Sequence, residues 1–367
     1  MNINKMITLA AVAASAAIPM SANAAFPTAI AGNVVTNTVD GITWRYLVDE
    51  ANKQVRILST SGKDTGAIIS TATAGTFYIP ATLVHTNGVE CNVVSINHYG
   101  LGSCTSLTGV VFPETTFAQT TGAWGYNSSY NGKELFKNSS KLVAVWWKGP
   151  QTVSSGSQPV ARSGRTTYTF HNCSALKAVV FGPNVSYTAD GTSACPMFQG
   201  CPGVKAFFPK AHWKNMGASM TNNVSQCKPI FYGPGEDIDI SIDGTFTVAT
   251  AERLDDVLSV AEDLYTHCRM TPRIAVTNTI EFTEGLITAD RMKFATFNSL
   301  IFKVTSQEQL TNILSVIPAS VPLAIDASDA KVELTLPQGR EIYVRVSAEG
   351  RQGKYTPKIN GLVITFY

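Results

Sequence analysis

The stretch Phe170-His-Asn-Cys173-Ser-Ala-Leu176, followed two residues later by the apolar strand Val179-Val-Phe181, is one of four related heptads in this chain. The other copies begin at Leu101, Phe136 and Phe198, and each precedes a short apolar strand at a fixed offset. The copies start 35, 34 and 28 residues apart. A period in this range is typical of stacked units, each too small to bury its own apolar face. The pattern therefore predicts a repeat architecture with one strand per unit.

The composition is typical of an exported, β-rich protein. Of the 367 residues, 44% are hydrophobic but only 15% are charged, so that Ser, Thr, Asn and Gly supply much of the polar surface. This length allows two or three domains with sizeable cores.

The N-terminal residues have the pattern of a signal peptide. A basic segment, Met1–Lys5, precedes the apolar segment Ile7–Ile18, and small residues follow at Ala22 and Ala24. The apolar segment is shorter than the roughly 20 residues that span a bilayer. We therefore expect residues 1–24 to be removed by cleavage after Ala24, and the mature chain to be secreted or displayed at the cell surface without a transmembrane helix.

Changes of pattern divide the mature chain into four predicted parts. These are an N-terminal cap with an atypical first repeat (25–90), the repeats (91–221), a linker (222–235) and a C-terminal domain (236–367). The last part mixes alternating strands with amphipathic helices over Thr250–His267 and Ser306–Ile317, which predicts an α+β domain.

The two halves differ in charge, although the whole chain carries only +2. Residues 25–235 contain 15 Lys and Arg against 8 Asp and Glu, whereas residues 236–367 contain 12 against 18. This asymmetry is compatible with docking between a basic and an acidic half, with an anionic partner, or with two independently evolved surfaces. No block of like charges resembles a nucleic-acid-binding tail.

The heptads resemble the BspA-like leucine-rich repeats of bacterial surface proteins, over residues 41–213. The matching positions of the first copy are Val94, Ile96, Leu101, Cys104, Leu107, Val110, Phe112 and Pro113. The resemblance implies a leucine-rich-repeat solenoid with a short parallel sheet, and an adhesion or ligand-binding role without catalytic residues. Together with the pattern change, it predicts a solenoid followed by a separate α+β domain, on whose role the resemblance is silent.

Cysteine usage leaves two interpretations open. Seven cysteines in an exported protein are compatible with disulfides, and Cys195 with Cys201 or Cys91 with Cys104 are near in sequence. The repeat position of Cys104, Cys173 and Cys201 favours small buried side chains instead, so that we expect free thiols.

Aromatic residues give the candidate binding site, because rings supply contact area at low entropic cost. Trp146 and Trp147 are adjacent in a strand and must point to opposite faces, while Trp124, Tyr126 and Tyr130 lie in the insertion before them. The alternative is that the insertion merely packs over the outward tryptophan. No metal-ligating or nucleophile motif is present, so that neither a cofactor nor a metal is expected.

Three functions are compatible with these patterns. The first is a non-enzymatic protein that binds a host protein, glycan or envelope polymer through the repeats. The second is an exported enzyme with a catalytic C-terminal domain that the repeats direct to its target. The third is a structural protein of the cell envelope.

Overall fold

The computed structural model describes residues 34–60, 67–96, 100–114, 135–148, 169–183, 185, 198–213, 227–283, 285–327, 329, 342–345 and 352–355. Within these residues the chain is rich in strands, which form three sheets, and contains few helices.

The first sheet curls so that its two edges meet. Its strands are β1 (Val34–Val39), β2 (Ile42–Asp49), β3 (Gln54–Leu58), β5 (Thr82–Val84) and β6 (Glu90–Ile96). They lie in the order β1-β2-β3-β6-β5, and all neighbours are antiparallel except β3 and β6. Asn37 on β1 donates from Nδ2 to the carbonyl oxygen of Val84 on β5 at 3.0 Å, which joins the opposite edges.

The second sheet is entirely parallel. It contains β4 (Gly75–Tyr78), β7 (Leu107–Phe112), β8 (Ala144–Trp147), β9 (Ala178–Phe181), β10 (Val204–Pro209) and β11 (Cys227–Tyr232), in that spatial order. The heptads precede β7, β8, β9 and β10 and turn the chain into each strand.

The third residue of each heptad makes this turn possible. Its φ is 59° at Ser103, 63° at Asn138, 60° at Asn172 and 78° at Gly200. Asn and Gly tolerate this left-handed conformation better than other residues do. The third position is therefore a part of the sequence pattern, with a backbone cause.

The fourth residue of the heptad bonds each copy to the one before it. The donors and acceptors are Ser139 Oγ and Leu101 O (2.7 Å), Cys173 Sγ and Phe136 O (3.0 Å), and Cys201 Sγ and Phe170 O (2.8 Å). The position thus requires a small side chain that can donate a hydrogen bond. All six described cysteines are free and buried.

The third sheet lies in the C-terminal half. Its strands are β12 (Ile238–Ile240), β13 (Thr245–Val248), β14 (Arg273–Val276), β15 (Ile280–Glu281), β16 (Thr296–Lys303), β17 (Leu323–Asp326), β18 (Ile342–Arg345) and β19 (Gln352–Tyr355). Their order is β12-β13-β14-β16-β17-β18-β19, with β15 beside β16. The two outer pairs are antiparallel and the inner pairs are parallel.

The described helices are Lys210–Trp213, Ala251–Cys268, Ala289–Met292 and Gln307–Val316. We call Ala251–Cys268 the long helix. It begins after Thr250, whose side chain accepts from Arg253 N at 3.3 Å, and it ends at Arg269, whose φ is 53°. In Gln307–Val316, the Ser306 hydroxyl likewise accepts from Gln309 N at 3.2 Å. None of the described helices combines the length and apolar character needed to cross a membrane.

Alternate residues of the second sheet enter two different cores. One face packs with the heptads and the first sheet, and it includes Val110, Phe112, Val145, Trp147, Val179 and Phe181. The other face packs with the C-terminal half, and it includes Val111, Trp146, Val180, Phe207 and Ile230. Both faces of these strands are therefore apolar and covered.

The predicted architecture, a leucine-rich-repeat solenoid followed by a separate α+β domain, is wrong. The described chain forms three parallel or mixed sheets, and the second sheet shares a continuous core with the long helix and the third sheet. The physical reason lies in strands such as β7 and β8. Their outward-facing residues, such as Val111 and Trp146, are as apolar as their inward-facing ones. Such strands need cover on both sides.

Candidate functional site

The two adjacent tryptophans of the predicted site are both buried. Trp147 is 0% exposed and stacks on Phe112, with ring centroids 3.6 Å apart and planes 2° from parallel. Trp146 is 8% exposed and lies on the opposite face, in the core shared with the C-terminal half. The structure thus places both rings in cores, where neither offers a face to a ligand.

The other predicted site residues, Trp124, Tyr126 and Tyr130, lie outside the described residues. The strands that flank their insertion are described, and they show where it leaves the sheet. It follows β7. A second insertion, residues 151–169, which is rich in Ser, Gly, Arg and Gln, follows β8, and β8 pairs with β7 in parallel register. Both insertions therefore leave the same edge of the sheet at neighbouring positions.

Charged residues mark the start of each insertion. Lys148 Nζ lies 4.4 Å above the ring centroid of Trp146 and 3.9 Å from a carboxylate oxygen of Glu114. Glu114 is 61% exposed, whereas the lysine side chain is 28% exposed. A cation held against an aromatic ring keeps the ends of β7 and β8 in a fixed relation. We call Glu114, Trp146 and Lys148 the insertion base.

The second face of the parallel sheet is closed to a ligand by the long helix, which contacts β7, β8 and β9. The approach is closest at Gly109 on β7, where an added Cβ would lie 1.5 Å from the carbonyl oxygen of His267. Only glycine allows this approach of helix and strand. The chain itself therefore fills the surface that an open sheet would present to a partner.

A buried carboxylate fixes the long helix to the sheet. Asp256 is 0% exposed, and its carboxylate accepts from Lys228 (2.8 Å) and Arg253 (2.7 Å) and lies 3.0 Å from Lys205 Nζ. Burial acts to raise the pKa of Asp256, but the hydrogen bonds from Lys228, Lys205 and Arg253 outweigh it and hold that pKa below its usual value. We call Asp256, Lys205, Lys228 and Arg253 the charge cluster.

Further ion pairs join the two halves. Lys177 on the repeat side lies 3.8 Å from Asp263 of the long helix, and Lys210 pairs with Glu236. Burial raises the pKa of Asp263 and lowers the pKa of His267 near the end of the helix. The pairs of Lys177 with Asp263 and of Lys210 with Glu236 bind the two halves together.

A second polar group closes the curled first sheet. His85 is 7% exposed, and its Nδ1 lies 3.1 Å from the Tyr46 hydroxyl, while its Nε2 lies 3.3 Å from a carboxylate oxygen of Glu50. Burial raises the pKa of Tyr46, which is itself only 1% exposed. Both ring nitrogens are satisfied, so that this group serves to hold β2 against the segment after β5.

Two exposed tyrosines lie at the C-terminal end of the long helix, and the sequence reasoning missed them. Tyr78 at the end of β4 is 52% exposed, and Tyr265 on the helix is 43% exposed and lies 5.6 Å from the half-buried ring of Phe294. Tyr265 falls beside the apolar stripe of the helix, which is a signal that the sequence contains. Tyr78 offers no such signal, because its strand alternates normally.

Neither the thiols nor other ligand-type side chains form a reactive centre among the described residues. Burial raises the pKa of Cys104 to about 11 and of Cys268 to about 12, which disfavours the thiolate. Within the same residues, no group of three His, Cys, Asp or Glu side chains could hold a metal ion.

Comparison with known proteins adds no relative. No protein-family model, no curated protein and no solved structure matches this chain.

Proposed function

We propose that this chain is a non-enzymatic, exported binding protein whose ligand is an extracellular protein or glycan. The observation that carries the proposal is the pairing of β7 with β8, because it starts both long insertions side by side at one edge of the sheet. Insertions that share a face are a common location of binding sites in repeat-containing proteins.

The placement of the ligand at this edge has two supports. The long helix covers the second face of the sheet. The part of β7 and β8 that remains available to a ligand is therefore the end of each strand from which the insertions leave. The insertion that follows Glu114 is also rich in aromatic residues beside Asn and Lys, including Trp124, Tyr126 and Tyr130. This composition suits contact with sugar rings or peptide side chains.

A binding screen with the mature chain tests the proposal. We expect a glycan array or an extracellular protein array to yield a ligand whose affinity falls at least about tenfold in a Trp124→Ala, Tyr126→Ala double variant, in line with aromatic anchors elsewhere. Ile242→Ala is the matched control, since Ile242 is 40% exposed but lies in the C-terminal half. Unchanged affinity in the double variant would contradict the placement.

The export part of the proposal has its own measurement. N-terminal sequencing of the protein recovered outside the cytoplasm should begin at Ala25. An intact Met1 on the mature protein would refute the predicted cleavage.

A further inference from the structure

Strand β4 presents open backbone groups at one end of the parallel sheet. Gly75 N donates to Ser106 O at 3.2 Å and Ile79 N donates to Val111 O at 2.9 Å, both toward β7. Alternate residues of a strand direct their backbone groups to opposite sides in the sheet plane. Thr76 and Tyr78 therefore direct theirs away from β7, where no described strand pairs with them.

The other described sheet edges carry features that hinder further pairing. At the opposite edge of the same sheet, β11 contains Lys228 and Pro229. In the first sheet, Asn37 joins β1 to the facing edge β5. In the third sheet, the edge strand β12 contains Asp239 and the opposite edge strand β19 contains Lys354. Charge, proline and edge closure are among the usual protections against strand addition. The four residues of β4, Gly-Thr-Phe-Tyr, contain neither a charge nor a proline, although the strand is short, its pairing with β7 shifts register between Gly75 and Thr76, and Pro80 follows closely.

Tyr78 belongs to a row of side chains that crosses the whole sheet. The residues in register are Tyr78, Val111, Trp146, Val180, Phe207 and Ile230. All of them except Tyr78 are buried in the core with the C-terminal half, whereas Tyr78 is 52% exposed. A strand added beside β4 would place its in-register side chain next to this ring and continue the row.

An unpaired cation lies beside the exposed ring. Arg269 follows Cys268, whose Sγ lies 3.8 Å from Val110 O on β7, the strand beside β4, and the long helix also contacts β4 itself. The positive charge of Arg269 accordingly opposes the rise that burial causes in the pKa of Tyr78. Arg269 is exposed and forms no ion pair with any residue in the described ranges. By contrast, Arg273 pairs with Asp243 at 2.9 Å and Arg291 pairs with Asp255 at 2.8 Å.

We propose that β4 binds an extended acidic peptide, which adds to the second sheet as a seventh strand. Its backbone pairs with the outward groups of Thr76 and Tyr78, an apolar side chain packs beside the Tyr78 ring, and a carboxylate binds Arg269. Main-chain pairing supplies affinity in this mode of recognition, and side chains supply selectivity. This site is independent of the insertions that carry the proposed function.

The first test uses the mature chain and two labelled peptides of eight residues. Both alternate Thr and Val, and one ends in two Asp whereas the other ends in two Lys. In a fluorescence anisotropy titration, we expect the acidic peptide to bind at least tenfold more tightly. Equal binding, or no binding of the acidic peptide, would overturn the proposal.

The second test examines the backbone contribution. The acidic peptide is N-methylated at alternate residues, in two versions that block opposite sides of the added strand. One version should lose binding at least tenfold and the other should keep it, because only one side faces β4. If both versions keep their affinity, strand addition is excluded.

Two substitutions complete the design. Arg269→Gly removes the cation at a left-handed position that glycine favours, so that it should abolish the preference for the acidic peptide without lowering stability. Tyr78→Ala should weaken both peptides. Two outcomes would refute the peptide assignment. Self-association of the chain, seen by sedimentation, that prevents binding of the acidic peptide would identify a second copy as the ligand. Displacement of the peptide by alginate, with both N-methylated peptides still able to bind, would identify an anionic glycan.

Discussion

At the scale of single residues, the fourth position of the heptad shows how the sequence pattern relates to a physical requirement. A small apolar side chain would satisfy the sequence pattern. The structure adds a hydrogen bond, since Ser139, Cys173 and Cys201 each donate to a carbonyl of the preceding copy. The donor is therefore part of what the position selects.

We expect Cys173→Ser to be tolerated better than Cys173→Ala. The hydroxyl can donate to Phe136 O as Ser139 does to Leu101 O, whereas alanine removes this bond and leaves the carbonyl only the one from Ser139 N at 3.0 Å. The difference between the two variants should be about 1 kcal/mol in the free energy of unfolding, the usual contribution of a hydrogen bond. Urea denaturation measures it, and an alanine variant as stable as the serine variant would show that the hydrogen bond contributes nothing.

At the scale of elements, the contact between the long helix and β7 determines how the halves are arranged. Gly109→Ala should destabilise the protein by more than about 3 kcal/mol, because the new Cβ would meet His267 O and force helix and strand apart. Gly88→Ala is the control. Its φ of 84° makes alanine unfavourable there, but no atom lies within 4 Å of the added Cβ.

The two glycine variants separate steric overlap from backbone strain. Gly88→Ala should cost only about 1 kcal/mol, as for a residue forced into the left-handed region. Thermal denaturation of both variants provides the comparison. Equal losses would mean that the helix and β7 do not approach as closely as described.

The charge cluster predicts a loss of stability in acid. The pKa of Asp256 is lower in the folded chain than in the unfolded chain, so that its ionised form stabilises the fold above the ordinary value of about 4. That contribution is lost as the pH falls below about 4 and through the lowered folded pKa. Asp256→Asn should therefore cost about 3 kcal/mol at pH 7 and much less at pH 2.

The control for the charge cluster is an exposed pair. Asp290 lies 2.5 Å from Lys293 at the surface, and such pairs contribute little. Asp290→Asn should leave the urea midpoint nearly unchanged at both pH values. If Asp256→Asn behaves in the same way, the cluster does not hold the long helix to the sheet.

At the scale of the whole molecule, local patterns were readable from the sequence and the assembly was not. The heptads, the strands after them and the long helix follow from periodicity, and the start of the helix Gln307–Val316 follows from its cap, Ser306. The covering of Trp146 by the C-terminal half depends on contacts far apart in the chain, which periodicity does not encode. The available signal that a second layer covers the sheet was the apolar character of both faces of its strands. Val110 and Val111, for example, are neighbours in β7 that point to opposite faces.

The candidate site was predictable to a similar degree. The sequence indicates that aromatic residues form the site. In the structure, the rings of Trp146 and Trp147 are buried, whereas those of Tyr78 and Tyr265 are exposed and accessible to a ligand. An edge strand is recognised by what does not pair with it, and neighbours in a sheet cannot be read from one strand. The role suggested for β4 therefore required the three-dimensional order of the strands.

A chain truncated after residue 235 should be less soluble than the mature chain. It would keep the second sheet but lose the cover over Val111, Val180 and Phe207, leaving a contiguous apolar surface. We expect residues 25–235 to bind the dye ANS strongly and to aggregate, whereas residues 25–367 do neither. A monomeric, dye-free fragment would show that the covered face can stand alone.

The row that the long helix covers also has a consequence for how the chain is made. Synthesis proceeds from the N-terminus, so that every strand of the second sheet is synthesised before the long helix is complete at Cys268. If these strands paired as soon as they were made, the apolar face of the second sheet would stay exposed until the long helix was synthesised. A chain that is kept unfolded until translation ends avoids this exposure, and binding of the chain by a holding chaperone has the same effect. Because the long helix comes late in the chain, the apolar face of the second sheet needs protection during synthesis, although it is buried in the folded protein.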